Sequence, residues 1–181
     1  YAYYIYFFSF FNLENQDLIK LILLSQVLLA SISVVIFYKI NKIFFSEKIS
    51  LFGSLLFSFF PLYLFACAQI SSISLHIFLA ILFYYYFFQV AMKAKLNSIL
   101  IFGFIAGLLI LTRREFIMIL VLSSFFLLLF FKIPKNFFFL ILITAIITTS
   151  PYLIRNFLIF EKIIIQAGLG YNVWKANNPN S

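Results

Sequence analysis

The sequence is poor in the residues from which soluble enzymes build their sites. A single cysteine, Cys67, lies inside an apolar run, which excludes an internal disulfide and any multi-cysteine metal centre and leaves packing as its simplest role. A single histidine, His76, has no Cys, Asp or Glu beside it and specifies no metal site; a hydrogen bond at a helix tip is the role its position suggests. Only five acidic residues are present, and none of Glu14, Asp17, Glu115 or Glu161 is nominated as a catalytic base. There is no Ser-His-Asp set, no phosphate-cradling glycine loop, no internal repeat and no soluble domain. No cofactor is identified and no metal-binding residue is nominated, although a divalent metal is not excluded.

What fills the chain instead is hydrocarbon. Of 181 residues, 65% are hydrophobic and 28 are phenylalanine, and the mean hydropathy is +1.13, too apolar for a water-soluble globule and suited to a bilayer. The net charge of +8 does not point to nucleic acid, because the basic residues stand singly or in pairs between apolar runs rather than in a stripe interleaved with polar surface. It is read as loop charge that sets membrane orientation. Beginning at Tyr1 without a methionine and ending on "NNPNS", the chain is expected to be cut from something longer.

The expected fold is an all-α polytopic transmembrane bundle. Residues 1–17 open with "YAYYIYFFSFF", too short to span and loaded with tyrosine, and are expected to be an interfacial segment at the end of an extracytoplasmic loop. The transmembrane region, 18–156, holds about six spans, placed at 18–38, 50–68, 72–90, 97–112, 115–131 and 136–156. Residues 157–181 are expected to form an extracytoplasmic loop that starts a C-terminal region. Lys39, Lys42, Lys48, Lys93, Lys95, Lys132 and Lys135 fall in alternate breaks, which the positive-inside rule makes cytoplasmic. The pair Arg113 and Arg114 then defies the rule. Pro61 interrupts the second span, and "TTSP" is expected to break the sixth, with Ser150 capping a new segment whose first residue is Pro151. Gly103 and Gly107 form a GxxxG that allows another helix to approach closely.

The stretch "LLILTRREFIMIL", residues 108–120, carries the most chemistry. Thr112 and Glu115 fit a capping box, which predicts a helix starting at Thr112 with free backbone N–H groups toward the outer surface. Two guanidiniums beside such an end make an anion site with bidentate geometry for phosphate. The alternative leaves Thr112 and Glu115 as caps and both arginines as lipid-headgroup anchors. Counting two spans onward brings Arg155 to the same face, so the only three arginines of the chain share one membrane surface while every cytoplasmic base is lysine. Arg155 alone would also suit an interfacial anchor. Beyond it, Gly168 and Gly170 demand a turn, and Asn172, Trp174, Asn177 and Asn178 set amides around one indole, as a sugar-binding surface does. Belt and turn roles for the same residues stay open.

Three stretches, in order, give the chain a family resemblance: "GLLILTRREFIMIL", similar to a Gly-Leu-Leu, Leu-Thr-Arg run; "SPYLIRNFLIF", similar to a Pro-Trp-x-x-Arg-Asn run; and "GLGYNVWKANNP", similar to a Gly-x-Asn-x-Trp-x-Asn-Asn-Pro run. With a weaker echo in "SQVLLASISVVIFYKINKIF", the chain resembles the membrane glycosyltransferases related to the protein O-mannosyltransferases, glycosyltransferase family 39 of the GT-C superfamily, and especially their bacterial members. The resemblance implies an enzyme of the bacterial inner (plasma) membrane that takes a sugar from a polyprenyl phosphate carrier and delivers it to a protein or glycan acceptor outside the cytoplasm, by an inverting, carboxylate-assisted transfer. It assigns the carrier phosphate and substrate to Arg113, Arg114, Arg155 and Asn156 together with the Asn172, Trp174, Asn177 and Asn178 loop, and it puts the catalytic acid in a loop upstream of Tyr1, so that the fragment alone would be inactive. The chain departs from the pattern at Arg114, where many relatives have proline, at Tyr152 for tryptophan, and around "QISSISLHIF", where relatives carry an acid and this chain has Ser74 and His76. Two rival classes remain: a transporter or channel piece for an anionic solute, which needs polar or charged groups near the midplane, and a structural membrane subunit.

Overall fold

The computed structural model describes residues 2–10, 14–162 and 165, and over these the chain is helical without a strand. The elements are α1 (Ala2–Ser9), α2 (Asn15–Phe44), α3 (Glu47–Ser58), α4 (Pro61–Cys67), α5 (Ser72–Met92), α6 (Leu96–Thr112), α7 (Phe116–Phe130) and α8 (Lys135–Phe160). Each of the six apolar runs is helical. Three helices, α2, α5 and α8, are long and apolar enough to cross a membrane alone, and α3 with α4, a pair bent by 54°, has the length and composition of a fourth span only when the two are taken together. At 17 and 15 residues, α6 and α7 measure about 26 and 22 Å against roughly 30 Å of hydrocarbon, a shortfall that bilayers accommodate by thinning locally.

The surface identifies the solvent. Leu62, Phe130 and Leu158 are 70%, 70% and 74% exposed, and dozens of other large apolar side chains face outward with them. Among the described residues no charged side chain is buried. The polar groups that are inside mostly close on their own helix: Ser33, Ser54 and Thr149 each donate to a carbonyl four residues back, which spares the hydrocarbon an unpaired hydroxyl.

Chain direction follows from named contacts. Gln26 on α2 donates to the Ser71 carbonyl and Phe44 meets the Phe88 ring, so α2 and α5 run the same way. His76 pairs with Thr112 while Phe87 meets Phe102, so α6 returns antiparallel to α5. Phe116 meets Phe83 and Phe126 meets Phe87, so α7 descends beside α5. α8 then rises parallel to α6. The joints α2–α3, α5–α6 and α7–α8, with all seven lysines from Lys39 to Lys135, therefore lie at one end of the bundle, and the α6–α7 turn with Arg113 and Arg114 lies at the other.

Two local expectations are corrected, for the first and the sixth runs, and the interruption expected at Pro61 is met. The first helix does not stop at 38 but continues to Phe44, because Lys42 reaches forward to Glu47 (4.0 Å) and lies over the Tyr38 ring, so charge and helix coexist past the apolar run. The second run is two helices: Pro61 offers no N–H to the Phe57 carbonyl, Phe60 turns extended at ψ 117°, and the chain bends there. The sixth run, by contrast, is unbroken through Pro151. Ser150 does not cap a new segment; its hydroxyl donates to the Ile147 carbonyl at 2.8 Å, the acceptor that Pro151 leaves without its usual N–H.

The α6–α8 pair is the tightest in the molecule. A methyl added at Gly103 would lie 2.7 Å from the Ile141 carbonyl oxygen and from Thr144 Oγ1, and one at Gly107 would lie 2.5 Å from Thr148 Cβ. The GxxxG is thus the close-approach surface, and the core around it is built from Leu79, Phe83, Phe102, Leu109, Ile141 and Ala145.

Candidate functional site at the arginine end

The turn between α6 and α7 is not the capping box that its sequence suggests. Thr112 is the last residue of α6, not the cap of α7, and its hydroxyl donates backward to the Leu109 carbonyl at 2.8 Å. Arg113 is extended (φ −148°, ψ 116°), and Glu115 occupies the cap position of α7 without a side-chain cap bond. The first-turn N–H groups of α7 are not free either: those of Phe116, Ile117 and Met118 go to the carbonyls of Arg113, Arg114 and Glu115 at 3.2, 3.0 and 3.2 Å. The reason is tertiary. With Thr112 Oγ1 also 3.0 Å from His76 Nδ1 on α5, the hydroxyl is fully engaged before α7 begins. Any anion held here is therefore held by guanidiniums and not by an open helix end.

Thr144 faces Gly103 and Thr148 faces Gly107, an offset of 41 residues in both pairs, so α8 runs parallel to α6 and Arg155, near the C-terminal end of α8, lies at the same end of the bundle as the α6–α7 turn. Arg155 also continues the stripe of α8 that faces α6, through Ile141, Thr144, Thr148 and Tyr152, just where α6 has ended. Arg113 and Arg155 are exposed, and Arg114 is half-buried. Asn156 is buried at 4% exposure, and its Oδ1 accepts from Arg155 Nη1 at 3.3 Å, which orients the base of the guanidinium.

Near this end of the bundle an apolar cavity of about 290 Å³ opens between α6, α7 and α8, lined by Ile110, Ile117, Leu120, Thr149, Leu153 and Ile165 among others. Ile110 and Ile117 flank the arginine turn, and Leu153 precedes Arg155 by two positions. Thr149 is the one polar residue of the lining, so the cavity suits hydrocarbon. Asn172, Trp174, Asn177 and Asn178, with Gly168 and Gly170, lie outside the described residues. Among the described residues no cluster of His, Cys, Asp and Glu could hold a metal ion.

Sequence reading placed His76 at a helix tip but not its partner. Thr112 is 36 positions away, and no periodicity connects the two.

Neither a curated protein nor a solved structure matches the chain. The profile of the dolichyl-phosphate-mannose-protein mannosyltransferase family matches residues 3–154, which takes in every spanning element up to the turn before Arg155. An all-helical membrane bundle of GT-C type, whose three arginines gather at the end opposite its interhelical lysines, matched by that profile over most of its length, belongs to the dolichyl-phosphate-mannose-protein mannosyltransferase family.

Proposed function

We propose that this membrane mannosyltransferase-type glycosyltransferase takes its sugar from a polyprenyl phosphate carrier and passes it to a protein or glycan acceptor on the extracytoplasmic side, with the arginine end of the bundle at that side. One observation supports the reading: α8 runs parallel to α6, so that Arg155 lies at the same end of the bundle as the Arg113–Arg114 turn, the end near which an apolar cavity opens. In this reading the carrier phosphate lies between the guanidiniums and the isoprenoid chain lies against the hydrocarbon slot. As the glycosidic bond to phosphate breaks, negative charge grows on the leaving oxygen, and bidentate guanidinium bonds strengthen with it, which lowers the barrier. Asn156 holds Arg155 in place for that task. The Asn172, Trp174, Asn177 and Asn178 loop follows Arg155 closely enough in sequence to meet the sugar. Inverting transfer also needs a carboxylate to deprotonate the acceptor, and the family resemblance assigns it to a loop ahead of Tyr1.

The absence of buried charge among the described residues argues against an ion or solute pathway through the bundle. Arg155→Ala in the complete protein is expected to lower sugar transfer by about 100-fold or more, the scale of one lost charge-stabilising donor, with membrane insertion unchanged. Transfer at the normal rate would remove Arg155 from the phosphate site. Labelling of Arg113→Cys and Arg155→Cys by an impermeant maleimide tests the common face: modification from opposite compartments would defeat the reading.

A further inference from the structure

The turn that carries Arg113 and Arg114 is gripped on both flanks by one side chain from another helix. His76 Nδ1 is 3.0 Å from Thr112 Oγ1, immediately before the turn, and its ring meets the Phe116 ring edge-on, centroids 5.1 Å apart, immediately after it. Arg113 and Glu115 both lie within electrostatic reach of the imidazole. The hydrogen-bond inventory fixes the direction of the first contact. Thr112 has one hydroxyl proton, and it goes to the Leu109 carbonyl at 2.8 Å. Thr112 Oγ1 must then accept, so His76 donates from Nδ1–H, and the neutral ring carries its lone pair on Nε2. The Leu109 carbonyl also receives the Arg113 backbone N–H at 2.8 Å, so His76, Thr112, Leu109 and Arg113 form one continuous chain of bonds from α5 to the arginine.

We propose that His76 is a positioning residue for the lipid-phosphate site: through Nδ1–H to Thr112, and through its edge-to-face contact with Phe116, it holds the 113–115 turn at the height where its arginines meet the carrier phosphate. The inference rests on the phosphate reading above but makes a separate claim, that the α5–α6 contact sets donor affinity. The three residues that join α6 and α7 are closed by backbone bonds to their own flanks, from Leu109 to Met118. The His76 side chain ties that turn to a neighbouring helix, α5.

The two ring nitrogens can be separated by substitution. His76→Asn keeps a donor near the Nδ1 position, His76→Gln moves it toward Nε2, His76→Phe keeps only the ring, and Thr112→Val removes the acceptor at constant shape. The complete protein in detergent is titrated with radiolabelled mannosyl polyprenyl phosphate, and transfer is followed at saturating donor. His76→Phe and Thr112→Val are each expected to weaken donor binding about fivefold to tenfold, the effect of one hydrogen bond, and to lower transfer at saturation as well, because the same guanidiniums stabilise the leaving phosphate. Their double variant is expected to be no weaker than either single one, and His76→Asn is expected to retain binding where His76→Gln loses it. Additive losses in the double variant, or His76→Asn as weak as His76→Phe, would overturn the proposal. Arg155→Ala in the same assay separates the two claims: a coupled His76–Thr112 pair beside an Arg155→Ala protein with normal donor affinity would retain the positioning role and refute the phosphate assignment.

Discussion

Gly107→Ala is the smallest change that tests whether α6–α8 packing builds the arginine site. The added methyl would lie 2.5 Å from Thr148 Cβ and 2.9 Å from both Thr148 Cγ2 and the Ala145 carbonyl oxygen. Non-bonded carbons rest about 3.5–4.0 Å apart, so the helices must separate by roughly 1 Å. A rotamer change at Thr148 cannot relieve it, because Thr148 Cβ and the Ala145 carbonyl are fixed to the α8 backbone. Overpacking of this kind costs about 1–3 kcal/mol. The functional cost is expected to be larger, since α6 delivers the Arg113 turn and α8 delivers Arg155: a misplacement of about 1 Å at a reacting centre can lower the rate on the order of 100-fold. Stability can be read with a fluorogenic thiol dye on Cys67, which is 8% exposed in the folded chain and reacts on unfolding, any other thiol of the complete protein having been replaced by serine. Gly53→Ala is the matched control. Its methyl would meet only Asn41 Nδ2, at 3.3 Å, the movable end of a side chain, and alanine is the better helix former by about 1 kcal/mol, so unfolding should stay put or rise. Adding Thr148→Gly to Gly107→Ala removes the nearest carbon and should restore part of the transfer. A Gly107→Ala protein that unfolds at the wild-type temperature with undiminished transfer would refute the account of this interface.

Two further outcomes follow from the spanning helices. Ser150→Ala should destabilise the fold by about 1 kcal/mol by orphaning the Ile147 carbonyl, whereas Ser150→Ala combined with Pro151→Ala should cost nothing, because the alanine N–H takes over the same acceptor; additive losses in that thermal-unfolding cycle would show that Ser150 does not compensate for the proline. Cys67 in intact membranes should resist a membrane-permeant maleimide and react fully once the fold is opened by heat or detergent, and rapid labelling of the native protein would contradict its place against Ser74 at 3.7 Å.

Much of the bundle was legible in the sequence because a bilayer reads composition directly: a run of some twenty apolar residues in lipid has no option but a helix, as every backbone group must be satisfied within the segment. The punctuation was less legible, and both failures have the same origin. At Thr112 and Glu115 the local pattern matched a capping box, yet the hydroxyl had a competing acceptor in its own helix and a donor in His76 from α5. At Ser150 and Pro151 the pattern matched a helix start, yet breaking a helix inside hydrocarbon strands several carbonyls, each at a cost of several kcal/mol, roughly. One serine hydroxyl turned backward to Ile147 is the cheaper solution, and the helix runs on.

The site shows the limit most clearly, because its two ingredients were both visible and their connection was not. Three arginines stood out against a chain whose other bases are lysine, and Gly103 with Gly107 stood out as a place of close approach. Nothing in either pattern says that the glycines pack on α8, that α8 runs parallel to α6, or that the pairing is offset by the same 41 positions at Thr144 and Thr148. Shift that register by one helical turn and Arg155 moves about 5.4 Å along the axis relative to the α6–α7 turn. The glycines thus set the height of α8, and with it Arg155, relative to the α6–α7 turn. In the proposed phosphate site, what the packing motif would contribute is register.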